Sequence, residues 1–302
     1  MDEKLNGTCV LNKWSISSDT HAFRYRPDIW KEFSGQMRNF SIEEISNSLI
    51  WHAAIGSLND PFEVYAKSNR NELKELTQDE WFKLWVKCFA QHTLPYPYWR
   101  IFSSGTVREI FQDNILAEKE FMLRRFKEHD FFGEFIKEFR DTVAIASFTK
   151  KPDSRLMWGY YCNGMNGFCI IYNKERLINS CIRLDEVEYG DAGLEINAMD
   201  HAYSYRTKRD DTLLIKIPKF KHKEWHHESE LRSLCLLEGG DVGLGKTLQL
   251  NECCIDGVII GSKVCTATKA QLLELSGKLN FRLYYAKANL EKFAVDISDY
   301  PK

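Results

Sequence analysis

The stretch DTVAIASFTKKPDSRLMWGYYCNGMNGFCIIY, residues 141–172, reads as a strand, a short helix and a second strand. VAIASFTK and GFCIIY are short, apolar and partly β-branched, a composition that suits a pleated and half-buried surface. Between them Met157-Trp158-Gly159-Tyr160-Tyr161 fits a short helix packed on a core. The same strand signature recurs downstream in IRLDEVEY, TLLIKIPKF, LRSLCLL, GVIIG, FRLYYAK and FAVDI. One good helix interrupts these strands, opened by Thr268 with Gln271 and carrying Leu272, Leu273 and Leu275 on its apolar face. Many strands with few helices between them predict a largely antiparallel sheet in an α+β fold.

Upstream, HAFRYRP (residues 21–27) alternates Phe23 and Tyr25 on one face with Arg24 and Arg26 on the other, and Pro27 stops it. Ser41 with Glu44 has the spacing of a capping box, followed by Ile42, Ile45 and Leu49 at helical intervals. Asn59-Asp60-Pro61 is turn chemistry in its own right, because both side chains can bond nearby backbone amides and proline fixes φ. Residues from about 72 to 140 change character. Thr77 and Glu80 form a second capping box, Trp81, Leu84, Trp85, Cys88 and Phe89 repeat as a helix face, and the stretch from Val107 to Phe139 is again helical. This segment is read as a helical insertion within one domain spanning 1–302, since nothing in the chain resembles a flexible linker.

With 44% hydrophobic and 13% aromatic residues, the chain has ample material for a packed core, which argues against disorder. A formal net charge of −2 excludes a generic polyanion binder, so nucleic acid would need a local basic patch. Nine cysteines fall without regular spacing or a C-x-x-C pair, and no apolar leader opens the chain, which points to a reduced, cytoplasmic setting. No run approaches the eighteen or so apolar residues of a membrane span.

Three motifs compete for function. Gly240 to Thr247 satisfies the G-x-x-x-x-G-K-[ST] pattern of a phosphate-binding loop, but a working loop needs a helix directly after Lys246, and the sequence that follows is strand-like. A glycine-rich hairpin loop is the expectation. His222, His226 and His227 lack the spacing of a metal motif within a helix, and no metal is expected. The run WHHESELR, residues 225–232, sets Glu228 and Glu230 two apart just ahead of an apolar segment, so an extended chain would put both carboxylates on one face. Like charges on one face repel. Two readings stay open: a solvated strand end with Arg232 as counter-charge, or a pair placed for a ligand.

An arginine strand (Arg24 or Arg26), then Ser147-Phe148-Thr149, then Glu228-Ser229-Glu230 stand in the order that resembles the arginine-serine-glutamate class of ADP-ribosyltransferases. The resemblance implies a split antiparallel core and NAD as substrate. Arg24, with Arg26 as alternate, would grip a phosphate, Ser147 and Thr149 would flank the nicotinamide ribose, and Trp158, Tyr160 or Tyr161 would stack on a planar ring. Glu230 would be the catalytic carboxylate and Glu228 would orient the acceptor, a protein or nucleic acid of unknown identity. Asn59 would border the site or merely shape its turn. The chemistry is coherent, because departing nicotinamide leaves an oxocarbenium-like ribose that a carboxylate stabilises, while a guanidinium suits a pyrophosphate. A second resemblance covers nearly the whole chain. FRYRP, SLNDPFE, SFTKKPDSRLMWGYYCNGMNGFCIIY, KEWHHESELRS and GVIIGS look like the bacterial domain-of-unknown-function family twenty-nine seventy-one, with the Phe-Ser order of the middle strand altered here. It implies a bacterial protein, some members standing in a phage-defence setting with a partner protein in the same operon. Together the two resemblances imply a toxin or anti-phage effector that transfers ADP-ribose, or else a non-catalytic sensor that binds a nucleotide or a phage component.

Overall fold

The computed structural model describes residues 16–58, 60, 62–64, 66–69, 76–88, 104–128, 131–197, 216–251 and 253–301. The chain clusters into two compact units: Met1–Asn59, Asp141–Tyr189 and Lys223–Lys302 form one, and Asp60–Arg140 with Gly190–His222 the other. Along the chain the strands are β1 His21–Pro27, β2 Lys31–Phe33, β3 Gln36–Arg38, β4 Leu49–Ala54, β5 Ala66–Asn69, β6 Val143–Thr149, β7 Gly167–Asn173, β8 Asp185–Glu186, β9 Glu188–Gly190, β10 Leu194–Asn197, β11 Phe220–His222, β12 Glu230–Leu236, β13 Gly245–Gln249, β14 Ile255–Gly261, β15 Arg282–Asn289 and β16 Ala294–Asp299. The helices are α1 Phe40–Ser46, α2 Gln78–Cys88, α3 Ser104–Asp113, α4 Ile115–Glu128, α5 Phe131–Thr142, α6 Arg155–Tyr160, α7 Lys174–Asn179 and α8 Thr266–Leu279.

The first unit is built on a ten-stranded sheet in the order β13-β4-β6-β1-β7-β14-β15-β16, with β12 and then β8 added beside β6. All pairings are antiparallel except β14 with β15, whose connection runs through α8, the crossover a parallel pair requires. The fold is therefore α+β with a mixed, largely antiparallel sheet. Strand β6 is its hinge point. One edge pairs with β12 along its whole length, from Val143↔Leu236 to Thr149↔Glu230. The other edge is shared: β4 takes Ala144 and Ile145, and β1 meets it only at Phe23↔Thr149.

The alternation within β1 decides what lies on each face. Ala22 joins Phe148, Ile170, Tyr172, Leu231, Val258 and Leu272 in one apolar cluster, while Phe23 and Tyr25 join Trp158, Cys162, Cys169, Ile171, Ile259 and Tyr284 in the other. Helix α6 closes the second face: Ser154 caps it by accepting from the Met157 amide, and Trp158 Nε1 donates to Pro152 O at 2.9 Å. Gly167 and Gly261 are demanded by close approach, since a Cβ on Gly261 would strike the Met165 and Gly167 carbonyl oxygens and one on Gly167 would strike Arg26 O.

Local signals held where they were self-contained. Thr77 and Glu80 make the reciprocal capping box of α2. For α1 the cap is Asn39 instead, its Oδ1 accepting from the Ser41 and Ile42 amides, because Glu44 is drawn to Arg26. Helix α8 starts two residues before Thr268, capped by Cys265 Sγ, while the Thr268 hydroxyl turns to Asp28. The predicted strand IRLDEVEY shortens to β8 and β9, and residues 212–215 of TLLIKIPKF lie outside the described residues, with Ile217–Lys219 forming a 3-10 turn before β11. In the second unit α2, α3 and α4 are joined by the parallel pair β5–β10, with Trp85 and Phe111 packed 5.3 Å apart at its centre.

Candidate functional site

The glutamate pair is not on a continuous strand. Lys223–Glu228 forms a 3-10 turn, Ser229 takes a left-handed φ of 46°, and β12 begins only at Glu230. The premise that an extended chain gives both carboxylates one face is therefore corrected: a left-handed residue separates the end of the 3-10 turn from the start of the strand. A non-glycine residue at positive φ is uncommon and is held here by its neighbours. Lys150 N donates to Ser229 O at 3.1 Å, Glu230 N donates to the Tyr189 hydroxyl at 2.9 Å, and Val187 N donates to Glu230 O at 3.2 Å.

Both carboxylates are buried, and each has a different partner. Glu230 is clamped by its own strand: Arg232 Nε reaches Oε1 at 2.8 Å and Nη2 reaches Oε2 at 2.9 Å, with Arg232 at 0% exposure. Arg232 lies two residues on and so shares the face of Glu230. The counter-charge reading of Arg232 holds, but the pair is sealed rather than solvated. Glu228 accepts from the Tyr161 hydroxyl at 2.6 Å, and its backbone carbonyl accepts from Thr149 Oγ1 at 2.5 Å. Thr149 in turn accepts from the Lys151 amide at 3.0 Å, and Tyr25, whose ring meets Trp158 edge-on at 5.3 Å, donates to Lys151 O at 2.9 Å. Burial pushes the Tyr25 hydroxyl well above its usual pKa. At the rim of this network, Tyr160 is 65% exposed and lies 6.3 Å from the His227 ring, which stands 6.0 Å from Trp225.

The anticipated trio does not converge. Thr149 stands opposite both Phe23 and Glu230, so these side chains occupy the face that holds Tyr25, Trp158 and Tyr161. Ser147 is on that face too, paired with Arg232 and exposed. Arg24 and Arg26 project from the other face. Arg26 is bidentate to Glu44 at 2.9 and 2.7 Å, and Arg24 donates to Trp51 O at 2.7 Å with Phe148 5.4 Å from its guanidinium. Burial alone would raise the Glu44 carboxyl, but Arg26 and Arg24 hold it below its usual value. Both arginines thus stand on the face opposite Glu230, a placement that follows from strand alternation. Asn59 lies outside the described residues. Lys246 sits on β13, paired with His52 of β4, so no helix N-terminus follows the glycine-rich loop; the loop is not the expected hairpin either, because β12 pairs with β6 and β8 while β13 pairs with β4. Among the described residues no cluster of His, Cys, Asp and Glu is arranged to hold a metal.

Residues missed by the sequence reading are Tyr25 and Tyr189. The alternation of β1 puts Tyr25 on its observed face, but its hydroxyl bond to a turn 126 positions away has no local signal.

Residues 157–233 match the family model described as Protein of unknown function (DUF2971). That span opens in α6, at Met157 and Trp158, and ends on Ser233 of β12, so it contains Tyr161, Glu228, Glu230 and Arg232, the network just described. The match supports the resemblance to this family over that stretch. No curated protein and no solved structure matches the chain. No helix among the described residues is long and apolar enough to cross a membrane.

Proposed function

We propose that the chain binds a nucleotide, with NAD the first candidate, at the rim where β6 ends and β12 begins, and that it reads this ligand as a sensor without cleaving it. The observation that carries this reading is the unequal state of the two glutamates. Both oxygens of Glu230 are taken by Arg232, whereas Glu228 is held by Tyr161 near the exposed ring of Tyr160 and the half-buried rings of Trp225 and His227. Aromatic faces accept a planar base, stacking being worth roughly 1–3 kcal/mol per base. Exposed Lys151 and Arg155 beside the same turn supply cations for phosphate. A setting in bacterial anti-phage defence, with a partner protein from the same operon, is part of this proposal and rests on the family resemblance. The test is a calorimetric titration with NAD, ADP-ribose and ATP. Binding that weakens at least tenfold in both Tyr160→Ala and Glu228→Gln supports the reading, and affinity unchanged in both variants refutes it.

One observation favours a second reading, ADP-ribosyl transfer. Strands β12, β6 and β1 lie side by side, with Thr149 opposite Glu230. In that reading nicotinamide leaves with the electron pair of its glycosidic bond, a nucleophile of a protein or nucleic-acid acceptor bonds to the ribose carbon and gives up its proton, and a carboxylate stabilises the cationic ribose between the two events. Release of nicotinamide that depends on Glu228 or Glu230 would favour this reading over the sensor.

A further inference from the structure

The face of the sheet opposite Thr149 and Glu230 buries a charge that its surroundings only partly answer. Arg24 is 5% exposed, yet its Nη1 has no hydrogen-bond partner, and the nearest carboxylate oxygen, Glu44 Oε1, lies 3.9 Å away, beyond hydrogen-bond reach. Glu44 is already committed, its oxygens accepting from Arg26 and from the Trp51 amide. Tyr172 on the neighbouring strand β7 is 0% exposed, and its hydroxyl also lacks a partner.

The two side chains are neighbours. The register Ala22↔Tyr172 and Arg24↔Ile170 makes Arg24 and Tyr172 diagonal neighbours on one face. Both meet the same ring, Tyr172 edge-on to Phe148 at 5.4 Å and the Arg24 guanidinium 5.4 Å from its centroid. A buried donor left unsatisfied loses its solvation without compensation, so two neighbouring ones call for a shared acceptor. The charge balance says which kind. Two guanidiniums face one carboxylate here, and His52, the other titratable group packed on Arg24, adds no negative charge. Burial and the Arg24 charge push its pKa down to about 4, leaving it neutral and bonded to Ser233 Oγ at 3.0 Å. Burial lowers Arg24 itself only to about 10, so it stays cationic at neutral pH. A water molecule would accept from both donors but leave the surplus positive charge, whereas an anion answers both needs.

We propose that a single small monovalent anion of halide size is bound between Arg24 Nη1 and the Tyr172 hydroxyl, as a structural ligand that ties β1 to β7 beneath α1. This site is independent of the nucleotide reading, which concerns the other face of the sheet. The probes are sodium chloride and sodium bromide against sodium gluconate at matched ionic strength, applied to the full chain. Thermal unfolding is expected to shift upward by about 2–4 °C and to saturate with halide. Tyr172→Phe, which keeps the ring against Phe148 and removes only the donor, is expected to abolish this response while folding normally. In bromide-soaked crystals an anomalous peak is expected between the two side chains. An ordered water only at that position, a midpoint indifferent to halide, or a response unchanged in Tyr172→Phe would overturn the proposal.

Discussion

Replacing Glu230 by glutamine should cost stability well before it touches any ligand. The carboxylate is 3% exposed, both its oxygens are held by Arg232 at 2.8 and 2.9 Å, and Arg232 is fully buried. Removing one partner of a buried pair costs about 3–5 kcal/mol, because the other charge is left uncompensated. Glutamine keeps one acceptor oxygen for one of the two guanidinium donors, which returns about 1 kcal/mol and sets the expectation near 3 kcal/mol. In a chain of 302 residues that loss lowers the unfolding midpoint by about 5 °C. Urea unfolding followed by far-ultraviolet dichroism, with calorimetry in parallel, measures both quantities. The double variant Glu230→Gln with Arg232→Met should recover much of the loss, since an apolar pair of similar volume has no charge to strand. A Glu230→Gln protein within about 0.5 kcal/mol of the parent would refute the structural role and return Glu230 to the pool of groups available for chemistry.

Three further outcomes are expected. His52 is neutral in the folded chain down to about 4 but takes a proton near 6.5 when unfolded, so its contribution is fully present above pH 6.5 and is lost as pH falls toward 4. The loss amounts to about 3 kcal/mol across that window by linkage, and His52→Gln should flatten this part of a pH–stability curve measured by urea unfolding. Tyr161→Phe, which leaves Glu228 buried without its hydroxyl donor, should weaken nucleotide binding about tenfold in a fluorescence titration while shifting stability by only about 1 kcal/mol. Lys246→Ala should leave ATP binding unchanged in equilibrium dialysis and stability within about 0.5 kcal/mol, as expected of a half-exposed strand lysine rather than a phosphate-loop lysine.

The sheet was legible because period-two alternation is a local property. HAFRYRP is β1 to the residue, and its alternation already separated Phe23 and Tyr25 from the two arginines. That separation is also why the arginines stand on the face opposite Glu230, since Thr149 pairs with Phe23 and not with an arginine. What the sequence did not carry was pairing across distance. The partner of Arg26 is Glu44, eighteen positions on, and that choice also emptied the predicted capping box at Ser41. Nor did the spacing of Glu228 and Glu230 announce the left-handed Ser229 that ends the 3-10 turn and starts β12. Positive φ at a residue other than glycine is imposed by tertiary bonds, here those of Lys150 and Tyr189 to its backbone neighbourhood, and no propensity foretells it. Arg232 is the instructive case: its sign and spacing marked it as counter-charge, while its burial followed only from the strands packed beside it.

The most direct test of the central claim is proton NMR of NAD mixed with the protein, read at once for saturation transfer and over hours for free nicotinamide. Transfer to adenine and nicotinamide protons that is lost in Glu228→Gln, with no nicotinamide accumulating, is the predicted result. No transfer at all, or nicotinamide release that disappears in Glu230→Gln, would contradict it.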